Sequence, residues 1–347
     1  MIDEAELATL RANPRFLIRA LQARGVDVEL FDFQQQVFRA RLGPHTEWLC
    51  DTFSAVVPAP AAMLANDKQV VKQILEEVGL GVSEGNRFTR SQIDDAIMYA
   101  AFVGFPVILK PADSSQGRGV RGPLATAEEL ELAAEDCCRH PASSGLFMVE
   151  RFHLGQEVRL FIARTGAYAA VRRQPASVWG DGRSTIAELA QKETDRRTQP
   201  RRTCEGPIEI DTSVEVHLAR SGRSLGDVPP VGERIFLRGH VEGSGASVED
   251  LTTALHPSIA QLGQRALLAL GLPYAGIDFL SPEPTMEQSP EEARILEVNA
   301  NPGLGMHHAP GRGAGRDVAG VIAELIFPET ATDTTSGLRP LPPLPVP

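Results

Sequence analysis

Two alternations of apolar and polar positions organise the chain: Tyr274 to Phe279 reads YAGIDF, and Arg294 to His307 reads RILEVNANPGLGMH. Period two predicts two strands of one antiparallel sheet. Ile277, Phe279 and Val298 then share the apolar face, and Asp278, Glu297 and Asn299 stand together on the other. Asn301-Pro302-Gly303 forbids regular pairing just afterwards, so the second strand ends where its polar side chains gather. Two carboxylates and an amide oxygen are a set that Mg²⁺ accepts when water and phosphate oxygens fill its other positions. The plainer alternative is an edge strand with Glu297 and Asn299 facing solvent.

The remaining pattern reads in chain order. A helical stretch ends near Gly25, an alternating strand covers Val26 to Phe33, and a less regular, aromatic-rich stretch reaches Val57. Asn66 is placed to cap a helix through Val78 with Gly79 as its stop, and Lys68 and Lys72 fall on one face of that helix. Thr89 with Gln92, and Thr126 with Glu129, read as capping boxes for helices running to Phe102 and to about Arg139. Between them the apolar run from Phe105 stops at Lys110-Pro111, and Ala112 to Gly119, ADSSQGRG, is a small and Gly-rich loop of the kind whose backbone N–H groups can wrap a phosphate. It is neither a P-loop nor a dinucleotide fingerprint.

Leu146 to Glu150 reads as a buried strand, followed by the polar linker to Arg159, a strand to Arg164, a turn at Gly166 and a strand to Arg173. Glu150 and Glu157 flank that linker, where carboxylates can accept from an adenine amino group and from ribose hydroxyls. A helix from Ile186 to Glu193 leads to a polar loop with Arg196, Arg197, Arg201 and Arg202, either a solvated charge run or an anion clamp. Asp211 caps a further helix, Arg234 to Arg238 is a strand, and Gly239 to Ser247 is a flexible loop. The stripe Ile259, Leu262, Ala266, Leu267 and Leu270 predicts a core helix from Pro257 to Gly271. Arg316 to Phe327 is a last packed helix before a Pro-rich tail without period.

At 347 residues the chain can build two or three lobes around a cleft. Its net charge of −11 and pI near 5.3 argue against nucleic acid and against an anionic membrane surface, both of which need a dominant basic field. Cys50, Cys137, Cys138 and Cys204 lack metal spacing and read as reduced thiols. The N-terminus is acidic, and the longest apolar run is broken by Gly104 and Pro106, so the expectation is a cytoplasmic protein without a membrane span.

Jointly, Lys68, Lys110, the SSQGRG loop, Glu150 seven residues before Glu157, and Asp278, Glu297 and Asn299 resemble the ATP-grasp superfamily of carboxylate-amine ligases, over about Asn66 to Phe327. The segments RRQPASVWGDGRSTIAELA, SLGDVPPVGERIFLR and EVNANPGLGMHHAPGRGAGRDVAGVIAELIFPE resemble the ATP-grasp part of cyanophycin synthetases and bifunctional glutathione synthetases. The resemblance implies an α+β fold, with two lobes over 66–149 and 150–328 that clasp ATP between antiparallel sheets; outside it, the pattern predicts a small N-terminal accessory lobe over 1–65 and a disordered tail over 329–347. It implies phosphate contacts from Lys68 and Lys110, with Lys110 also catalytic, and a lid from Ser114, Ser115, Gln116, Gly117 and Gly119. Glu150, Arg151 and Phe152 would take the adenine, Glu157 the ribose, and Asp278, Glu297 and Asn299 Mg²⁺, with Mn²⁺ as the alternative ion. Arg159, Arg172, Arg173 and His307 are expected at the acid substrate.

The implied reaction activates the carboxylate of an amino acid or short peptide as an acyl phosphate, which an amine converts to an amide with release of ADP and phosphate. A small-molecule ATP-grasp kinase and a non-catalytic nucleotide-binding regulator are the alternatives. The sequence departs from those relatives in its short N-terminal segment, in ending before a second, Mur-ligase-like domain, and in the Gly239 to Ser247 loop. One bond type and an altered substrate are therefore expected. D-alanine:D-alanine ligases carry an arginine where Gly276 stands, which makes Arg238 the expected source of that charge. The arginine clusters predict an acid with an extra carboxylate, and the partners expected are small molecules and a second copy of the chain in a homodimer.

Overall fold

The computed structural model describes residues 2–112, 119–139, 145–198, 204–239, 241, 245–331 and 338–340. Its largest antiparallel sheet runs in the order Ser247–Asp250, Ala167–Gln174, Gln156–Ala163, Tyr274–Ser281, Arg294–Asn299. The predicted strand pair is present, and the side chains fall on the predicted faces. Asp278 lies opposite Glu297 and Gly276 opposite Asn299, with a bulge at Leu296 before Phe279 meets Ile295. The apolar face, with Leu160, Ile277 and Phe279 fully buried, is covered by the helix Pro257–Ala269, whose Ile259, Leu262, Ala266 and Leu267 point inward as their spacing requires.

A second sheet, ordered Gly85–Thr89, Leu146–Arg151, Val107–Pro111, Arg121–Leu124, packs the helices Ile93–Val103 and Ala127–Arg139 over a separate core. The link between the two sheets is bonded to the edge of the large one. Ile295 donates to the Gly81 carbonyl at 2.9 Å, and Arg294 Nη1 donates to the Val82 carbonyl at 3.0 Å. A small lobe, the pair Ser177–Trp179 and Arg234–Phe236 with the helices Ile186–Thr198 and Thr212–Arg220, has its own core around Val178, Ile186, Val214 and Leu237.

Several local expectations are corrected. The aromatic-rich stretch before Val57 is regular: Val37–Leu42 and His45–Cys50 complete a three-stranded sheet with Asp27–Asp32. Its turns are carried by Gln36 at φ +54° and Gly43 at φ +56°, and a glutamine in the left-handed region gives no sequence signal. The N-terminal residues also share one core with the large sheet, since Leu17, Leu21, Val28 and Phe38 join the cluster that holds Leu160 and Phe161. Asn66 ends the helix Ala59–Asn66, and the cap of Lys68–Glu77 is Asp67, which accepts from Gln69 and Val70 N–H. Of the expected polar arginine loop, Arg196 and Arg197 belong to the last turn of a longer helix, while Arg201 and Arg202 lie outside the described residues. In the tail, Arg339–Pro340 pairs with Tyr168 and Ala167, so that piece extends the sheet. The Thr89–Gln92 capping box, the Asp211 cap and the Gly79 stop at φ +67° are as predicted, while at Thr126 the hydroxyl accepts from Glu129 N–H but the Glu129 carboxylate takes the Ala125 N–H in place of that of Thr126.

Candidate functional site

The polar face of the large sheet carries a row of opposed charges. Asp278 has Glu297 across from it on one side and Arg159 on the other, and Glu157, two residues before Arg159, lies opposite Arg173. Arg159 forks onto Asp278, Nε to Oδ1 at 2.5 Å and Nη2 to Oδ2 at 2.7 Å. Arg173 Nη1 reaches Glu157 Oε1 at 2.5 Å and stands 4.0 Å from Asp278 Oδ1. Burial lifts Glu157 to about 7, Asp278 and Glu297 adding to the lift while Arg173 and Arg159 oppose it. Burial disfavours the Arg159 charge, but Asp278 outweighs it and its affinity for the proton rises.

Asn299 lies opposite Gly276, and its Nδ2 is buried without a hydrogen-bond partner among the described residues. A Cβ on Gly276 would stand 2.8 Å from Pro302 Cβ and 3.3 Å from Arg159 Nη1. Glycine is therefore required there, because Pro302 stands too close for a side chain, with the Arg159 guanidinium next to it. Arg238, expected as the charge in that region, is engaged elsewhere, by Ser213, by Asp211 Oδ2 at 3.0 Å and by the Glu209 carbonyl at 3.2 Å. Arg159 is the guanidinium that stands beside Gly276.

Arg172 and Arg173 do not share a face. Arg172 lies opposite Val158, whose alternation is that of the apolar side, and its Nη1 is 3.7 Å from Glu249 Oε2. The two residues expected at the acid therefore do not face it together. His307 is fully buried, with neither ring nitrogen bonded among the described residues, and its ring centroid is 6.1 Å from that of Phe161. Burial pushes it down to about 3, the Arg159 charge adding to the effect, so the imidazole is neutral.

The second group lies where the link meets the smaller sheet. Glu150, 4 % exposed, takes Lys72 Nζ at 2.6 Å and Lys110 Nζ at 2.5 Å on the same oxygen, Oε1. Burial opposes its charge, but Lys110 and Lys72 together hold the carboxyl down at about 2. Burial also lowers Lys72, with Glu150 working against it. Lys68 begins the same helix and lines a cleft of about 290 Å³ with Asp67, Gln69, Arg87, Ala112 and Met148. A narrow hollow behind it is shared by Lys68, Lys72, Glu297 and Val298, which brings the lysines alongside the strand of the carboxylates. Arg151 is exposed and its N–H donates to the Glu84 carbonyl, while the Phe152 N–H donates to the Pro106 carbonyl at 3.1 Å. Gly119 adopts φ +76°, and Ser114, Ser115, Gln116 and Gly117 lie outside the described residues.

Two features gave no sequence signal. Lys72 was visible as a neighbour of Lys68 one turn on, but not as a member of a buried cluster. The loop after Asn299 is held by the N-terminal residues: Leu304 N–H donates to Asn13 Oδ1 at 2.9 Å, Asn13 Nδ2 donates to the Pro302 carbonyl at 3.2 Å, and the Thr52 hydroxyl bonds Asn301 Oδ1. Phe16 stacks on His308 at 4.4 Å. These contacts join residues about 250 to 290 positions apart, beyond the reach of local pattern.

With this geometry in hand, residues 67–157 match the ATP-binding domain of the carbamoyl-phosphate synthase large chain. The chain is 34% identical over 269 residues to cyanophycin synthetase of Trichormus variabilis, covering 76% of this chain and 29% of that protein. It is 28% identical over 328 residues to the glutathione biosynthesis bifunctional protein of Enterococcus faecalis, covering 90% and 42%. A bifunctional glutathione synthetase from Pasteurella multocida superposes with a TM-score of 0.70 at 23% identity, over 94% of this chain and 45% of that one. The chain belongs to the ATP-grasp superfamily. This ATP-grasp chain spans less than half the length of those relatives. Among its described residues no helix is long and apolar enough to cross a membrane, and no three of His, Cys, Asp or Glu gather to hold a metal ion. A cation at Asp278 and Glu297 would need an amide and phosphate oxygens as further donors. The carboxylates of Asp278 and Glu297, opposed in the register, with the amide oxygen of Asn299 on the same face, fit that hard-oxygen set.

Proposed function

We propose that this ATP-grasp chain is an ATP-dependent carboxylate-amine ligase. The carrying observation is the row Glu297, Asp278, Arg159, Glu157, Arg173 on one sheet face, close to the lysines of the nucleotide-binding segment. Cyanophycin synthetase and the glutathione-forming relatives carry names of amide-forming enzymes, which supports the same class. A substrate carboxylate oxygen attacks the terminal phosphorus of ATP, ADP leaves, and the acyl phosphate is opened at its carbonyl carbon by an amine, with phosphate departing.

Asp278, Glu297 and Asn299 would hold Mg²⁺ or Mn²⁺, and the ion would neutralise polyphosphate charge during transfer. Lys68 and Lys110 hold the phosphates, Glu157 the ribose, and the backbone at Arg151 and Phe152 the adenine, the Glu150 carboxylate being taken by Lys72 and Lys110. Arg159 and Arg173 supply positive charge beside the reacting carboxylate, and the neutral His307 borders the acid site from the loop beyond. The acid is an amino acid or short peptide with an extra carboxylate. The four cysteines are free thiols, in keeping with a cytoplasmic setting.

The test is ADP release with pairs of amino acids, together with hydroxylamine in place of the amine. Release that needs acid, and formation of a hydroxamate, is the expected result. A stable phosphorylated product without hydroxamate points to a kinase, and no release with any acid overturns the proposal.

A further inference from the structure

Lys72, Glu150 and Lys110 put two cations on one buried anion. Both Nζ atoms meet the same Oε1, and the three side chains are 6 %, 5 % and 13 % exposed in the order Lys72, Glu150, Lys110. One lysine would neutralise the carboxylate. A second leaves a net positive charge out of water, which is unfavourable unless another anion joins it. The place is built for the cluster. Gly85 lies opposite Glu150 in the strand register, and a Cβ there would meet Glu150 Cγ at 2.6 Å and Lys72 Nζ at 3.0 Å.

The two lysines are not equivalent. Lys72 comes from the helix Lys68–Glu77, which packs beside the strand Arg294–Asn299, and its Nζ donates a second bond to the Ser83 carbonyl at 2.5 Å. It is tied at two points of the link. Lys110 stands at the end of Val107–Pro111, at the edge of the 112–119 segment, with Glu150 as its ion-pair partner.

The geometry points to Lys72 as the resident counterion of Glu150, the residue that lets Lys110 leave the carboxylate for the polyphosphate of a bound nucleotide. While Lys72 remains, the departure of Lys110 leaves a neutral buried pair. Without Lys72 the same movement strands a buried carboxylate, so Lys110 is held back and phosphate binding weakens. The low pKa of Glu150 agrees, since the carboxyl is ionised and needs a partner at all times. Lys72 is a positioning residue that acts through Lys110. This inference rests on the assignment of the cleft to ATP.

The experiment measures ATP and adenosine affinity of the full chain by calorimetry, without acid or amine, for wild type, Lys72→Met, Lys110→Met and each of these combined with Glu150→Gln. Lys72→Met should weaken ATP binding by roughly tenfold or more, as removal of one partner of a buried charge pair does, and should leave adenosine nearly unchanged. Glu150→Gln should restore most of the ATP affinity lost in Lys72→Met, because an amide needs no counterion. It should not rescue Lys110→Met, whose lost amine touches phosphate itself. Wild-type ATP affinity in Lys72→Met, or losses that simply add in the double variant, overturns the inference while leaving the ATP site standing. If the wild type binds no ATP, the assignment of the cleft fails and the inference with it. If Lys72→Met does not fold by circular dichroism, Lys72→Met/Glu150→Gln, which removes both buried charges, must fold and bind ATP, and failure to bind overturns the inference.

Discussion

Arg159 and Asp278 form a two-pronged ion pair in which both carboxylate oxygens are engaged, and the guanidinium stands beside Gly276, where a Cβ would meet Pro302 first. The pair neutralises one of three carboxylates, Glu157, Asp278 and Glu297, gathered on a single face. Removing the cation therefore leaves like charges facing one another. Arg159→Met is expected to destabilise the fold by about 3 kcal/mol or more, as loss of one partner from a buried pair does. Arg159→Lys keeps a charge without the fork and should fold, yet turn over at least tenfold more slowly. Thermal melts and steady-state rates of the two variants check this. A Met variant as stable as wild type would show that Asp278 has another partner.

Glu297→Gln should abolish ligase turnover while the protein stays folded. The side chain is half-exposed beside Asp278, so an amide is accommodated, but it cannot match the charge offered to a divalent cation between phosphates. Lost charge stabilisation of this sort lowers rates on the order of a hundredfold or more. Near-normal ADP release by the variant would remove Glu297 from the proposed metal set.

What was legible beforehand was what local pattern encodes. Period two placed Asp278, Glu297 and Asn299 on one face, because the side-chain alternation of a strand sends Ile277 and Val298 to the other. At Arg172 and Arg173, both expected at the acid, the same alternation sends the two to opposite faces. Lys72 and Asn13 were illegible for a different reason. Their roles depend on partners 78 and about 290 residues away, Glu150 and the Pro302–Leu304 loop, and no spacing within one element reports such a contact. The Asp67 cap shows the limit of capping signals, since Asn66 and Asp67 are both good caps and only the preceding helix, which runs through Asn66, decides between them.

His307 predicts a pH dependence of stability. Its folded pKa is lowered to about 3, whereas the unfolded chain has an ordinary histidine near 6.5, so between those values the unfolded state binds the extra proton. Stability from this group is present above the unfolded value and falls as the pH drops below about 6.5. Melting temperatures at pH 7.5 and 5.5 should show a smaller drop in His307→Gln than in wild type. Equal drops would mean that the imidazole is charged in the folded protein, against its burial beside Arg159.

The last prediction concerns Asn13, the clamp from the N-terminal segment. Its side-chain amide accepts from Leu304 N–H and donates to the Pro302 carbonyl, across the turn that leads from Asn299 to His307. Asn13→Ala leaves both backbone groups without that partner, which should destabilise by roughly 1–3 kcal/mol if they stay dry. The helix Ala12–Ala23 itself accepts alanine readily, so the effect should fall on the loop. Turnover should drop several-fold or more, because a displaced loop carries Asn299 and His307 away from their places, whereas ATP affinity should hold, since Lys68, Lys72, Lys110 and Glu150 make no contact with Asn13 among the described residues. Asn13→Asp separates the two bonds. It keeps the acceptor for Leu304 but sets a carboxylate oxygen against the Pro302 carbonyl, and it should therefore be no better than alanine. Calorimetry with ATP beside steady-state turnover distinguishes the outcomes, and a parallel loss of ATP affinity and rate in Asn13→Ala would mean that the clamp supports the whole fold and not this loop.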